Sequence, residues 1–101
     1  MQAQVHTLEG KSVIRLTGRF DFNAHRVFRE AYEQNLREKE VRELEVDLGG
    51  VEYLDSSALG MLLMLREKAQ QSDKSVALTN CKGAVRQVLD IANFGRLFAL
   101  R

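Results

Sequence analysis

Hydrophobic and polar positions alternate in short runs along the first twenty residues. Val5, Thr7 and Leu8 precede Glu9-Gly10, and Val13, Ile14 and Leu16 follow within Ser12 to Thr17. Two β-rich runs around a Gly-containing turn predict a hairpin. Gly18 punctuates, and Arg19-Phe20-Asp21-Phe22-Asn23 reads as a loop in which Asp21 or Asn23 caps the next helix. In that helix Ala24, Val27, Phe28, Ala31, Tyr32 and Leu36 share one face of a 3.6-residue period, opposite Arg26, Arg29, Glu30, Glu33 and Arg37. The charged run from Glu38 to Glu43 reads as a solvated connector. Leu44-Glu45-Val46-Asp47-Leu48 then alternates strictly, as a half-buried strand does. Gly49-Gly50 breaks it, and Val51 to Leu54 leads into Asp55-Ser56-Ser57.

A second helix is expected from about Ser57 to Gln71, apolar nearly all round in its first half (Leu59, Met61, Leu62, Leu63, Met64, Leu65) and polar in its second. Ser75 to Thr79 reads as a strand. A third helix carries Val85, Val88, Leu89 and Ala92 on one face and stops at Asn93 and Gly95, and Leu97 to Leu100 reads as a last short strand. The order is β-β-α-β-α-β-α-β. It implies an α/β fold with a mixed sheet of four to five strands, about three helices and right-handed crossovers.

Composition narrows the function classes. The chain has 101 residues, 45% hydrophobic and 29% charged, which suits one globular domain over residues 1–101 with one modest core. Its formal net charge of +1 argues against a binder of nucleic acid that lives on phosphate contacts. The longest apolar run, Leu59 to Leu65 interrupted by Gly60, is far short of the ~20 residues that span a bilayer. No basic, then apolar, leader opens the chain, and a single cysteine makes no internal disulfide, so a cytoplasmic setting is expected. Cys-x-x-Cys, His-Glu-x-x-His, Gly-x-Gly-x-x-Gly and Gly-x-Ser-x-Gly are all absent, so neither a metal, a cofactor nor an enzymatic activity is expected.

The chemistry concentrates in Leu54-Asp55-Ser56-Ser57-Ala58-Leu59-Gly60, where a strand ends in an acid and two hydroxyls that open a helix. Asp and Ser suit an N-cap because their oxygens accept from unpaired backbone N–H groups. The same groups and the helix dipole favour an added anion, so a phosphoryl group on a serine here is compatible with the fold. It adds about −1.5 to −2 charge and three strong acceptors. Asp-Ser-Ser before an apolar helix is equally an ordinary capping sequence, and the residues alone leave both readings open. Met61 and Met64 likewise read either as core filling or as an adaptable docking surface.

Taken together, these residues resemble a known family. Leu54-Asp55-Ser56-Ser57-Ala58-Leu59-Gly60 is similar to the signature of STAS domains of the single-domain bacterial kind, the anti-sigma factor antagonists. Leu16-Thr17-Gly18-Arg19-Phe20-Asp21 resembles that family's strand-to-loop element, and Asp47-Leu48-Gly49-Gly50-Val51 its third strand and turn. The resemblance implies that Ser56 is phosphorylated, with Ser57 a secondary candidate. Asp55 shapes the site, Asp21 lies at the partner-binding edge, and Ala58, Leu59, Met61 and Met64 contribute to the same surface. It further implies binding of an anti-sigma factor in the unphosphorylated state, which regulates sigma-factor-dependent transcription. A serine kinase, often the anti-sigma factor itself, inactivates such proteins, and a PP2C-type phosphatase restores them. Ala58 stands where the family often has Gly. Many relatives continue into a C-terminal helix beyond the position of Arg101, so part of the usual surface is expected to be missing or supplied by another chain.

Two alternatives belong to other classes. A STAS module can switch between partners, for example an anti-sigma factor and a signalling enzyme, or bind a partner or small ligand without phosphorylation. A hydrolase would need Ser56, His25 and Asp21 or Asp55 to converge. Cys81 is expected to be a small buried or half-buried residue, His25 a surface or loop-packing residue, and His6 a strand residue.

Overall fold

The structure, a computed structural model, describes all residues from 1 to 101. Its elements are β1 (Gln2–Leu8), β2 (Lys11–Phe20), α1 (His25–Arg37), β3 (Glu43–Leu54), α2 (Ser56–Gln71), β4 (Ser75–Thr79), α3 (Gly83–Ile91) and β5 (Ala99–Leu100). Short 3-10 turns lie at Phe22–Ala24 and Phe94–Arg96. One five-stranded sheet runs in the order β1-β2-β3-β4-β5, with β1 antiparallel to β2 and the remaining pairs parallel. The α/β order expected from the sequence is the one found.

Local chemistry accounts for the turns and strands. Glu9 and Gly10 both have positive φ, 50° and 81°, the conformation that two-residue hairpins need to match strand twist. β2 and β3 run parallel from Lys11↔Glu43 to Phe20↔Leu54, with register shifts after Arg15 and after Gly18. The expected break at Gly49-Gly50 does not occur, because glycine allows the strand to continue through a close approach. A Cβ on Gly50 would lie 2.7 Å from Thr17 Cγ2 and 3.0 Å from the Leu16 carbonyl oxygen. Arg19 and Phe20, read as loop, belong to β2, since their register partners Tyr53 and Leu54 extend β3 alongside them.

Twenty-one buried residues make one core, drawn from β2, β3, β4 and all three helices. Phe20, Phe28 and Tyr32 meet in sequence from β2 into α1, with ring centroids 5.0 and 5.2 Å apart and ring planes tilted by 55° and 74°. Val27, assigned by periodicity to the inner face, is exposed at the flank of α1, and Asn35 takes a buried place in its stead. Asn35 donates to Thr7 Oγ1 at 3.4 Å and Glu38 Oε1 at 3.1 Å, tying α1 to the hairpin.

The segment from Glu38 to Glu43 is more than a solvated connector. Val41 is fully buried, and the buried Lys74 ammonium donates to the carbonyls of Val41 and Glu38, the latter at 2.6 Å. Lys74→Met keeps the apolar stem and leaves both carbonyls without their donor. It should cost about 2 kcal/mol in urea denaturation, and an unchanged midpoint would show the contacts to be immaterial.

Away from the core, the opposite sheet face is polar. Lys11 and Arg101 pair with Glu45 at 2.9 and 3.1 Å, and Arg101 also pairs with Glu43 at 3.1 Å. Burial would push the Asp47 carboxyl up. The Asn80 amide at 3.0 Å, the Gly49 N–H at 2.9 Å and the Arg15 guanidinium at 3.5 Å outweigh it and hold the group below its usual range. A depressed folded value means stability present above the ordinary carboxylate pKa, about 3.9, and lost as pH falls through the lower folded value. Asp47→Asn should therefore flatten part of the acid-side loss in pH-dependent denaturation. A variant with the wild-type acid slope would exclude this carboxylate as a contributor.

Candidate functional site

The site forms where β2 and β3 end side by side. The Asp55 N–H donates to the Phe20 carbonyl at 3.3 Å, so the two strand ends and the turns after them are held together. Each turn begins with an aspartate acting as a cap. Asp21 accepts from the Asn23 N–H at 3.0 Å and opens the 3-10 turn, and Asp55 accepts from the Ala58 N–H at 3.0 Å and opens α2. Asn23 caps nothing here, and α1 starts at His25 without a side-chain cap.

α2 begins one residue earlier than expected, at Ser56. Ser56 is exposed, Ser57 and Leu59 are half-buried, and Ala58 is fully buried under the Asp55 cap. No acidic residue occupies the first helical turn, so the Asp55 carboxylate is the anion held by these N–H groups. Ser56, Gly60, Leu63, Met64 and Glu67 are all exposed and fall at helical spacing, forming one solvent-facing stripe of α2. A Cβ on Gly60 would meet nothing within 4 Å, which leaves the stripe flat just beyond Ser56.

The structure separates the two methionines. Met64 is 44% exposed and lies on the stripe, whereas Met61 is 6% exposed and fills the core. Helical spacing decides this, because Met61 shares the inner face with Ala58, Leu62 and Leu65. Sequence reasoning did not single out Phe22, Arg19 or Tyr53. Phe22 is 74% exposed on the 3-10 turn, which packs against α2. Arg19 stands over the Tyr53 ring at 4.2 Å and pairs with Asp21 at 3.6 Å. The signal for Phe22 was an aromatic residue inside a polar capping sequence.

Other candidates do not join the site. No hydrogen bond links Ser56 to His25, Asp21 or Asp55, so no hydrolase triad is assembled. Cys81 is half-buried and burial pushes its thiol up, against the weaker pull of Arg86, which disfavours a reactive thiolate. No three His, Cys, Asp or Glu side chains lie together in a way that could hold a metal ion. No helix is long and apolar enough to cross a membrane.

Comparison with known proteins agrees with this geometry. The family model described as Mlab, STAS domain matches residues 3–100. The chain belongs to the STAS domain family. A STAS-domain containing protein of Pseudomonas aeruginosa (strain UCBPP-PA14) is 48% identical over 87 residues, covering 86% of this chain and 84% of that one. An anti-sigma factor antagonist from Mycobacterium paratuberculosis has the same fold, with a TM-score of 0.86 at 22% identity over 98% of this chain and 83% of its own. The Bacillus anti-sigma factor antagonist SpoIIAA matches in its unphosphorylated form with a TM-score of 0.75 at 20% identity over 98% of this chain and 86% of that one. Its phosphorylated form matches with a TM-score of 0.74 at 20% identity, covering 98% and 90% of the two chains.

The Asp55 cap gives this STAS domain a direct test. Asp55→Ala should lower stability by about 1 kcal/mol, and Asp55→Asn should restore most of it. Equal stability of all three proteins in chemical denaturation would show that the hydrogen bond to Ala58 contributes nothing.

Proposed function

We propose that this protein is an anti-sigma factor antagonist switched by phosphorylation of Ser56. The observation that carries the reading is an exposed serine at the first position of α2. It follows the capping Asp55 directly and heads a stripe that continues into exposed Leu63 and Met64. Antagonists of anti-sigma factors among the proteins of the same fold support it, as does one of them existing in both phosphorylation states.

In the unphosphorylated state, Ser56, Leu63, Met64 and the neighbouring Phe22 offer a partner a flat surface that is partly apolar and without a charge at its centre. Binding sequesters the anti-sigma factor and frees its sigma factor for transcription. A serine kinase, the anti-sigma factor itself or a separate enzyme, places a phosphoryl group on the Ser56 hydroxyl. The helix N-terminus accommodates the dianion, so the fold survives. The docked partner must then bury a charge beside Asp55 and Asp21, and binding is lost through repulsion and desolvation. A PP2C-type phosphatase removes the group and restores binding. The protein supplies no catalysis of its own and works in the cytoplasm. Ser57 is half-buried and serves as the secondary acceptor.

A loss of ~3 kcal/mol weakens affinity more than a hundredfold, enough for a switch. Titration calorimetry with the anti-sigma factor should show Ser56→Ala binding like wild type, with Ser56→Asp and the phosphoprotein weakened by about that factor. Tight binding by the phosphoprotein would overturn the switch. Intact-mass analysis after kinase treatment should show one added phosphoryl group on the wild type, much less on Ser56→Ala, and none on the Ser56→Ala, Ser57→Ala double variant.

A further inference from the structure

The two edges of the sheet differ sharply. β5 is short, pairing through only Ala99 and Leu100, and Arg101 after it reaches past β4 to Glu43 and Glu45 of β3. β1 presents a free edge along seven residues, Gln2 to Leu8, exposed throughout except for half-buried Ala3. Sheet edges are usually blunted by lysine, proline, inward charge or a bulge. β1 carries no Lys, Arg, Asp, Glu or Pro, and its pairing with β2 runs without a register shift.

Cavities flank this edge on both faces of the sheet. One of about 520 Å³, lined by Gln4, Val5, His6, Val13 and Arg15, opens on the face away from the helices. The other, about 300 Å³, lies between β1 and α1 and is lined by Val5, Thr7, Ala31 and Glu30 among others. Val5 borders both, so the strand edge stands between two recesses that can take alternate side chains of an added strand.

We propose that β1 pairs antiparallel with β1 of a second copy, about a twofold axis at Val5, to form one continuous ten-stranded sheet. Val5 is the midpoint of the strand, so this register uses its whole length. It sets Val5 against Val5, Ala3 against Thr7, Gln4 against His6 and Gln2 against Leu8. The strand is its own complement: apolar meets apolar on the axis, amide meets imidazole beside it, and no charged side chain faces its like. A net charge of +1 per chain adds little repulsion between copies. α1 packs against both β1 and α2 and so stands between this edge and Ser56, which leaves the phosphorylatable surface of each copy free. The pairing stands on strand geometry and does not depend on the proposed switch.

Sedimentation equilibrium on the intact protein reads it directly. The weight-average mass should rise from one chain toward two between ~5 and ~500 µM, as expected for a small interface. Val5 is 44% exposed and Gln4 is exposed, so Val5→Lys and Gln4→Lys should fold with unchanged circular dichroism. Each should weaken self-association about tenfold or more by placing cations across the axis. Leu63→Lys on α2 should leave self-association unchanged. Overturning results are a single-chain mass at every concentration, undiminished association of both β1 variants, or loss of association in Leu63→Lys. Binding of unrelated extended peptides at β1 by a protein that stays monomeric would equally reject a second copy as the occupant.

Discussion

Nearly everything in this molecule hangs on the parallel pairing of β2 with β3. The two strands run together from Lys11↔Glu43 to Phe20↔Leu54, and the residues they turn inward, Ile14, Leu16, Phe20, Val46, Leu48 and Leu54, are the floor of the core. β4 stops beside Asp47, so the last part of β3 has β2 on one side and no strand on the other. Pairing over this length needs the close approach at Gly50, where any side chain would strike Thr17 and the Leu16 carbonyl. Because both strands end at the same level, the two aspartates that follow them become neighbours, and with them the turn bearing Phe22 and the start of α2.

On the proposed switch, that juxtaposition gives one small modification a large local effect. A phosphoryl group changes the formal total from +1 to roughly −1, a modest change for the whole chain. At Ser56 the proposed phosphoryl group would arrive directly after the capping Asp55, on the exposed stripe of α2 that carries Leu63 and Met64. Arg19, near the end of β2, is engaged with Asp21 and the Tyr53 ring. A phosphoryl group there would sit near helix N–H groups, which favour an anion, whereas a docked partner would have to desolvate it.

Much of this was legible in the sequence, and what was missed has physical reasons. The strand and helix order, the hairpin turn at Glu9-Gly10 and the capping role of Asp55 followed from periodicity and local chemistry, which act over a few residues. The continuation of β3 through Gly49-Gly50 was not legible, since glycine signals a break and a close approach equally well. Met61 and Met64 could not be separated while the helix was apolar nearly all round; spacing separates them once the sheet shows that the face with Ala58, Leu62 and Leu65 is the inner one. Buried Lys74 and Asn35 were invisible for a similar reason. Their partners are the carbonyls of Glu38 and Val41 and the side chains of Thr7 and Glu38, brought near by tertiary packing. Of the site, the Asp-Ser-Ser run was readable, but Arg19 and Tyr53 join it only because strand register pairs them, and Phe22 because its 3-10 turn packs against α2.

The placement of α1 bears on how a chain this small can serve more than one contact. On one flank it packs against β1 and on the other against α2, so the free strand edge and the serine-bearing stripe lie on opposite sides of it. Its outer surface is laced with Arg26–Glu30 and Arg29–Glu33 pairs, exposed and worth little to stability, but well suited to keeping the surface between them hydrated. A partner on α2 and a strand on β1 therefore need not compete for the same residues. Inside α1, Phe28 and Tyr32 pack with Phe20 of β2 as fully buried rings, so the helix is anchored to the core. On the proposed switch, charge at Ser56 then acts on what docks along α2, while pairing at the β1 edge follows the chemistry of its own residues.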